Sequence, residues 1–256
     1  MIRIVPALFV AIIGAAGPSA AQQATLVRIA AASDLQFALD DVIRQFEARR
    51  PDVRVEPTYG SSGNFHAQLR QRAPFDLFLS ADMDYPRDLV SRGVGTGRDL
   101  FVYGVGRLVV WVPNRSSLPL EREGLAALRT AARIAIGNPR HAPYGRAAEA
   151  ALRSARLWAE LQPRLVLGEN IAQTAQFVQS GAAEAGLIAK SLALAPQMAA
   201  AGRYWDVPPD AYPPMRQGGL VLPWAASQDA AQAVRDFLTG SAGRAILSAH
   251  GFGLPD

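Results

Sequence analysis

The feature that most constrains this chain is a repeated junction, in which a short apolar run passes through small or hydroxylic residues into a helix-period segment. Val27-Arg28-Ile29-Ala30-Ala31-Ala32 reads as a buried strand that Ser33 ends. From Asp34 to about Arg50, residues Leu35, Ala38, Leu39, Val42, Ile43 and Phe46 recur on one helical face. Val53-Arg54-Val55 resumes as a strand and Tyr59-Gly60-Ser61-Ser62-Gly63 turns the chain. Phe65 and Leu69 then stand one helical turn apart, and 75–80 is a third apolar strand. This β-α-β-α-β order predicts a parallel sheet covered by helices. Leu108-Val109-Val110-Trp111-Val112 opens a second series: strand 133–137, helix from about 144 to 157, strand 165–167, helix 171–180 and strand 185–188. Leu220-Val221-Leu222 and two helices, 228–238 and 242–250, close the chain. The expectation is two α/β lobes, with the chain passing between them more than once.

Composition narrows the function classes. Of 256 residues, 50% are hydrophobic and 19% charged, too apolar for a disordered chain. Only the N-terminus carries an apolar run of note, which argues against a polytopic membrane protein. The absence of cysteine excludes disulfide scaffolds, thiolate metal sites and a cysteine nucleophile. Basic residues exceed acidic ones by 26 to 22, and Lys190 is the only lysine, a mild bias towards anions.

Met1-Ile2-Arg3, the apolar stretch 4–17 and Pro18-Ser19-Ala20-Ala21 form a charged start, an apolar centre and a small-x-small end. That pattern predicts a signal peptide, residues 1–21, cleaved after Ala21. A membrane anchor would need a longer run. No lipid-acceptor cysteine is present, so a free periplasmic protein of net charge +3 is expected after loss of Arg3.

Four junctions share one chemistry: Ala32-Ser33-Asp34, Gly60-Ser61-Ser62-Gly63, Ala142-Pro143-Tyr144-Gly145 and Glu169-Asn170-Ile171. A helix's first turn carries N–H groups with no internal partner and the positive end of the helix dipole. At the carboxyl end of a parallel sheet such a turn suits an anion. Each serine taken singly is an ordinary helix cap, and Pro143 an ordinary first-turn proline. Two such junctions in each half of the chain make a cleft lined from both sides a reasonable expectation.

The segments 30–35, 59–63 and 73–82, Gly106-Arg107-Leu108-Val109-Val110-Trp111, Gly137-Asn138-Pro139-Arg140-His141-Ala142-Pro143-Tyr144-Gly145 and Gly168-Glu169-Asn170-Ile171 carry a resemblance in order and spacing along the whole mature chain. They resemble the periplasmic molybdate-binding proteins of bacterial ABC transporters, which have a type II periplasmic binding protein fold. The resemblance implies two lobes, 22–106 with 218–256 and 107–217, each a mainly parallel sheet flanked by helices with the ligand cleft between them. It also implies a molybdate or tungstate dianion held by hydrogen bonds, no cofactor, and delivery by a monomer to a membrane permease. Ser33 and Ser62 would each give a hydroxyl and a backbone N–H, and Asp34, Tyr144 and Ile171 backbone N–H groups. Two departures stand out. Where some members place a tyrosine hydroxyl, this chain has Ala189; and Asp34 stands where others have a neutral residue. A carboxylate in the cleft would repel a dianion, so Asp34 is expected turned away as a helix-start charge with only its N–H facing the ligand.

A shell of donors without an acceptor disfavours protonated oxyanions such as hydrogen phosphate, and discrimination against sulfate would rest on size. The alternatives are a binder of sulfate or another tetrahedral oxyanion, and an exported hydrolase with Ser62 as nucleophile. The hydrolase needs a base that the sequence does not mark. Gly60-Ser61-Ser62-Gly63 is not a nucleophile elbow, because Asn64 stands where the second glycine belongs. His66, His141 and His250 are too scattered for a sequence-local metal site. Asp76 and Asp82 lack a base or metal partner and read as capping or hinge residues. Trp111, Trp158, Trp205 and Trp224 have no interleaved basic stripe, so nucleic-acid stacking is not expected.

Overall fold

The structure, a computed structural model, describes residues 24–255; the expected signal peptide and its cleavage point lie outside them. The first strand, β1 (Thr25–Ala32), runs through a 3₁₀ turn at Ser33–Leu35 into α1 (Gln36–Arg49). There follow β2 (Val53–Gly60), α2 (Ser62–Leu69), β3 (Leu77–Ser80), α3 (Asp84–Ser91) and β4 (Leu100–Gly106). The second lobe starts at β5 (Leu108–Pro113) and continues through α4 (Leu120–Glu123), β6 (Ile134–Gly137), α5 (Pro143–Ser154) and α6 (Trp158–Leu161). Next come β7 (Leu165–Gly168), α7 (Ile171–Gln179), β8 (Ala185–Ala189), α8 (Lys190–Ala193), α9 (Pro196–Ala201) and β9 (Gly202–Asp206). The chain then returns as β10 (Met215–Val221), α10 (Gln228–Thr239) and α11 (Ser241–Ala249).

Each lobe is built on a five-stranded sheet, in the orders β2-β1-β3-β10-β4 and β7-β6-β8-β5-β9. In the first, β1 pairs in parallel with β2 and β3, while β10 runs antiparallel between β3 and β4. The second repeats the scheme, with β6 parallel to β7 and β8 and β5 reversed between β8 and β9. One strand in each sheet therefore opposes the other four. The central strand β1 is covered on both faces, which is why Ile29 to Ala32 is continuously apolar instead of alternating. Ile29 and Ala31 pack with Leu39, Val42, Val234 and Leu247 on one face, and Ala30 packs with Phe65, Phe78 and Leu220 on the other. The apolar stripe expected on the first helix is the buried face of α1. A separate core around Trp111, Leu152 and Leu187 holds the second lobe.

Two strands, β4 and β9, lie outside the expected order. Both are edge strands: β9, Gly202-Arg203-Tyr204-Trp205-Asp206, is partly exposed and carries no apolar run, whereas β4 does carry one, Leu100-Phe101-Val102-Tyr103, which the expected strand order omits. β10 also starts five residues before the expected Leu220, because Gln217-Gly218-Gly219 belongs to it. A side chain at Gly218 would collide with Met83 and the Phe101 carbonyl, and one at Gly219 with the Phe78 carbonyl. Glycine there lets β10 slide between its neighbours, with a bulge between Gln217 and Gly218.

Candidate functional site

The sheet topology brings the four junctions to one place. Ser33 and Asp34 follow β1, Ser61 and Ser62 follow β2, Pro143 and Tyr144 open α5, and Asn170 and Ile171 open α7. Together with Ala81 they line one small, nearly closed cavity between the lobes. All five residues singled out in the sequence, Ser33, Asp34, Ser62, Tyr144 and Ile171, contribute to its wall. Neither arginine nor lysine lines it. A larger hollow adjoins it beyond Ala81 and Pro143, but ion pairs such as Arg146 with Asp82 dominate there.

Donors converge on the small cavity for local reasons. The first-turn N–H groups of Asp34, Ser62, Tyr144 and Ile171 precede the point at which a helix satisfies its own backbone. Pro143 fits its first-turn place because its missing N–H is not needed there. Asn170 caps α7 by accepting the Gln173 N–H at 2.9 Å, which fixes the turn that presents Ile171. The Ser62 hydroxyl accepts the Ala81 N–H at 3.0 Å and keeps its own proton to donate. Ser33 reaches across the cleft: its hydroxyl donates to Asn170 Oδ1 and accepts the Ala172 N–H, both at a long 3.3 Å. These stretched bonds between lobes leave the hydroxyl free to turn to a stronger acceptor.

The lobes are joined at the lip of the cleft. The His141 carbonyl accepts the Gly63 N–H at 3.0 Å, the Ser61 hydroxyl at 2.6 Å and the Tyr85 hydroxyl at 3.4 Å. Arg146 adds an ion pair to Asp82 and a hydrogen bond to the Tyr85 hydroxyl at 2.9 Å. His141 also has its Nδ1 3.1 Å from Ser61 Oγ and its Nε2 3.4 Å from Glu169. The imidazole thus meets Ser61 and not Ser62, the residue that the hydrolase reading needs. His66 pairs with Asp88 and His250 with Asp41, far apart on the first lobe. Asp76 is structural, accepting the Arg28 N–H at 2.6 Å and the Ala226 N–H at 2.7 Å.

Asp34 stands in the first turn after β1 as expected, but its carboxyl is buried: the residue is 1% exposed and its Oδ2 accepts the Gln217 Nε2–H at 2.6 Å. Gln217 also donates to the Tyr144 hydroxyl at 3.2 Å and accepts from Tyr103 at 3.1 Å, while Tyr103 is held close to the Ser80 carbonyl at 2.9 Å. This buried network lies where the chain passes between lobes, against Gly106. Burial pushes the Asp34 carboxyl up to about 6, with the Gln217 and Tyr144 hydrogen bonds partly opposing the rise. The only sequence signal for the network is Gln217, a polar residue in an otherwise apolar and glycine strand. Ala189, at the end of β8 and opposite Leu108, is fully buried and brings no hydroxyl to the site.

Two α/β lobes that close helix N-termini on one small cavity define a solute-binding protein. The chain belongs to the bacterial extracellular solute-binding protein family, whose model matches residues 27–253. It is 35% identical to the molybdate-binding protein ModA of Azotobacter vinelandii, over 94% of this chain and 95% of that one. ModA of Rhodobacter capsulatus is 33% identical over 77% of each chain. The solved periplasmic molybdate-binding protein of Azotobacter vinelandii superposes with a TM-score of 0.81, at 30% identity, covering 90% of this chain and all of that one. The sulfate-binding protein SubI of Mycobacterium tuberculosis shares the fold, with a TM-score of 0.74 at 16% identity over 91% of this chain and 88% of that one.

Proposed function

We propose that this chain is a non-catalytic periplasmic binding protein that captures molybdate or tungstate and hands it as a monomer to an ABC permease. In this reading residues 1–21 direct export and are removed; because β10 joins the first sheet from Met215, the lobes are 22–106 with 215–256 and 107–214, a return three residues earlier than expected. The observation that carries it is the convergence of Ser33, Asp34, Ser62, Tyr144 and Ile171 on one cavity without a cation in its wall. Burying a dianion is costly unless its oxygens meet donors, and backbone N–H and hydroxyl dipoles supply them while leaving the ligand releasable. Likeness to the molybdate-binding proteins of Azotobacter and Rhodobacter supports the choice of oxyanion.

Thermal unfolding with molybdate, tungstate, sulfate and phosphate tests the proposal. At about 100 times its dissociation constant a ligand adds about 2.7 kcal/mol of stability. Molybdate and tungstate are expected to raise the melting temperature while phosphate does not. A rise with sulfate alone would reassign the ligand, and labelling of Ser62 by a serine-reactive phosphonate would return the hydrolase.

A further inference from the structure

The site contains one group that an anion cage does not need, the Asp34 carboxyl. The N–H of this residue is proposed to face the dianion, so its own carboxyl lies within roughly 6 Å of the ligand, inside the range at which like charges suppress ionisation. Its surroundings offer no counter-charge. Facing it are the phenols of Tyr103 on β4 and Tyr144 on α5 and the amide of Gln217 on β10. Ser191 of α8 donates to the Asp34 backbone carbonyl at 2.7 Å, and its neighbour Lys190 is turned to Asp206 at 2.8 Å. Tyr212, behind Tyr144, accepts the Leu108 N–H, and Tyr59 at the end of β2 is bonded to Asp40. α7, from Ile171 to Gln179, has no titratable side chain. Asp34 Oδ1 is buried without a hydrogen-bond partner, a costly position for an ionised oxygen and a mild one for a neutral carboxyl.

Resting on the oxyanion reading above, we propose that Asp34 is a proton-carrying positioning residue: closing the lobes on a dianion protonates its carboxyl, so that capture takes up a proton. The carboxyl is tied to both lobes, because Gln217 on β10 donates to it and also to the Tyr144 hydroxyl on α5. A second negative charge arriving beside a group already raised by burial drives it further towards the neutral form. The ligand itself gains, since the neutral carboxyl no longer repels it.

Isothermal titration calorimetry with sodium molybdate at pH 6, 7 and 8, in two buffers of different ionisation enthalpy, tests the linkage. Wild type is expected to lose affinity as pH rises, by up to tenfold per unit, and to take up as much as one proton. Asp34→Asn is expected to bind with an affinity flat over this range and without uptake. A flat wild-type profile with no uptake overturns the proposal, as does the same slope and uptake in Asp34→Asn. The wild-type measurement decides alone if the variant does not fold. Failure of the wild type to bind molybdate or tungstate at any of these pH values overturns the oxyanion reading instead, and the linkage with it.

Discussion

Ser62 hydroxyl serves two masters. Its oxygen accepts the Ala81 N–H, and its proton is the one proposed to reach the ligand. Ser62→Ala removes both, so affinity for molybdate should fall by about 1.5–3 kcal/mol, the worth of a hydrogen bond to a charged group. Stability should also fall by about 1–3 kcal/mol, because a buried N–H loses its acceptor. Calorimetry and urea unfolding check the two separately; unchanged affinity would move the site elsewhere. Asp34 yields a prediction about the ligand-free protein. Its carboxyl is raised from 3.8 to about 6, so the folded chain holds this proton more tightly than the unfolded one. By linkage that contribution is fully present below pH 4 and is lost as pH rises through 6. A rise of about two units amounts to about 3 kcal/mol. Urea unfolding of wild type and Asp34→Asn should therefore diverge in the variant's favour between pH 4 and 6 and run parallel above it. A constant gap across this range would show that Asp34 is not raised.

At the scale of the element, the strand ends decide what the cleft can accept. Ala189 closes β8 with no exposure, packed beside α8 and opposite Leu108 on β5. Ala189→Tyr therefore meets a filled core, and overpacking of this kind costs about 1–3 kcal/mol or more. The expected result is a lower melting temperature and no gain in molybdate affinity; tighter binding with an unchanged melting temperature would show that the strand end has room for a further donor. The same local logic explains what was legible in the sequence. Central strands such as β1 and β6 are buried on both faces and so read as apolar runs, and α1 and α5 show their faces by period. The four junctions could be read because they are helix beginnings, which Ser33, Ser62, Pro143 and Asn170 announce, whereas the particular donors are implied only by the family resemblance. β9 could not be read, since Gly202-Arg203-Tyr204-Trp205-Asp206 is a partly exposed strand with no apolar run, whereas β4 carries one in Leu100-Phe101-Val102-Tyr103 and is legible in principle. The fate of the Asp34 carboxyl was equally hidden. Gln217 lies 183 residues away, and only the return of β10 into the first sheet brings the two together.

At the scale of the whole molecule, capture is a matter of how closely two lobes can meet. Their backbones meet in the lip at Gly63, whose N–H bonds the His141 carbonyl at 3.0 Å. A Cβ added at Gly63 would stand 2.6 Å from that carbonyl oxygen and 2.8 Å from the His141 Cα, both on the opposite lobe. The nearest of these atoms from its own lobe is the Tyr85 hydroxyl, at 2.7 Å, and a side chain can swing aside where a backbone cannot. Gly63 lies inside α2, where alanine is the better helix former. Gly63→Ala is therefore a wedge between lobes that leaves each lobe's interior intact. Its ligand-free melting temperature should stay near that of wild type, whereas molybdate affinity should fall by tenfold or more, about 1.4 kcal/mol per factor of ten. Small-angle scattering adds the geometric readout: saturating molybdate should compact the wild type and compact Gly63→Ala less. Equal affinity and equal compaction in the two proteins would mean that the His141 lip is not where closure is limited.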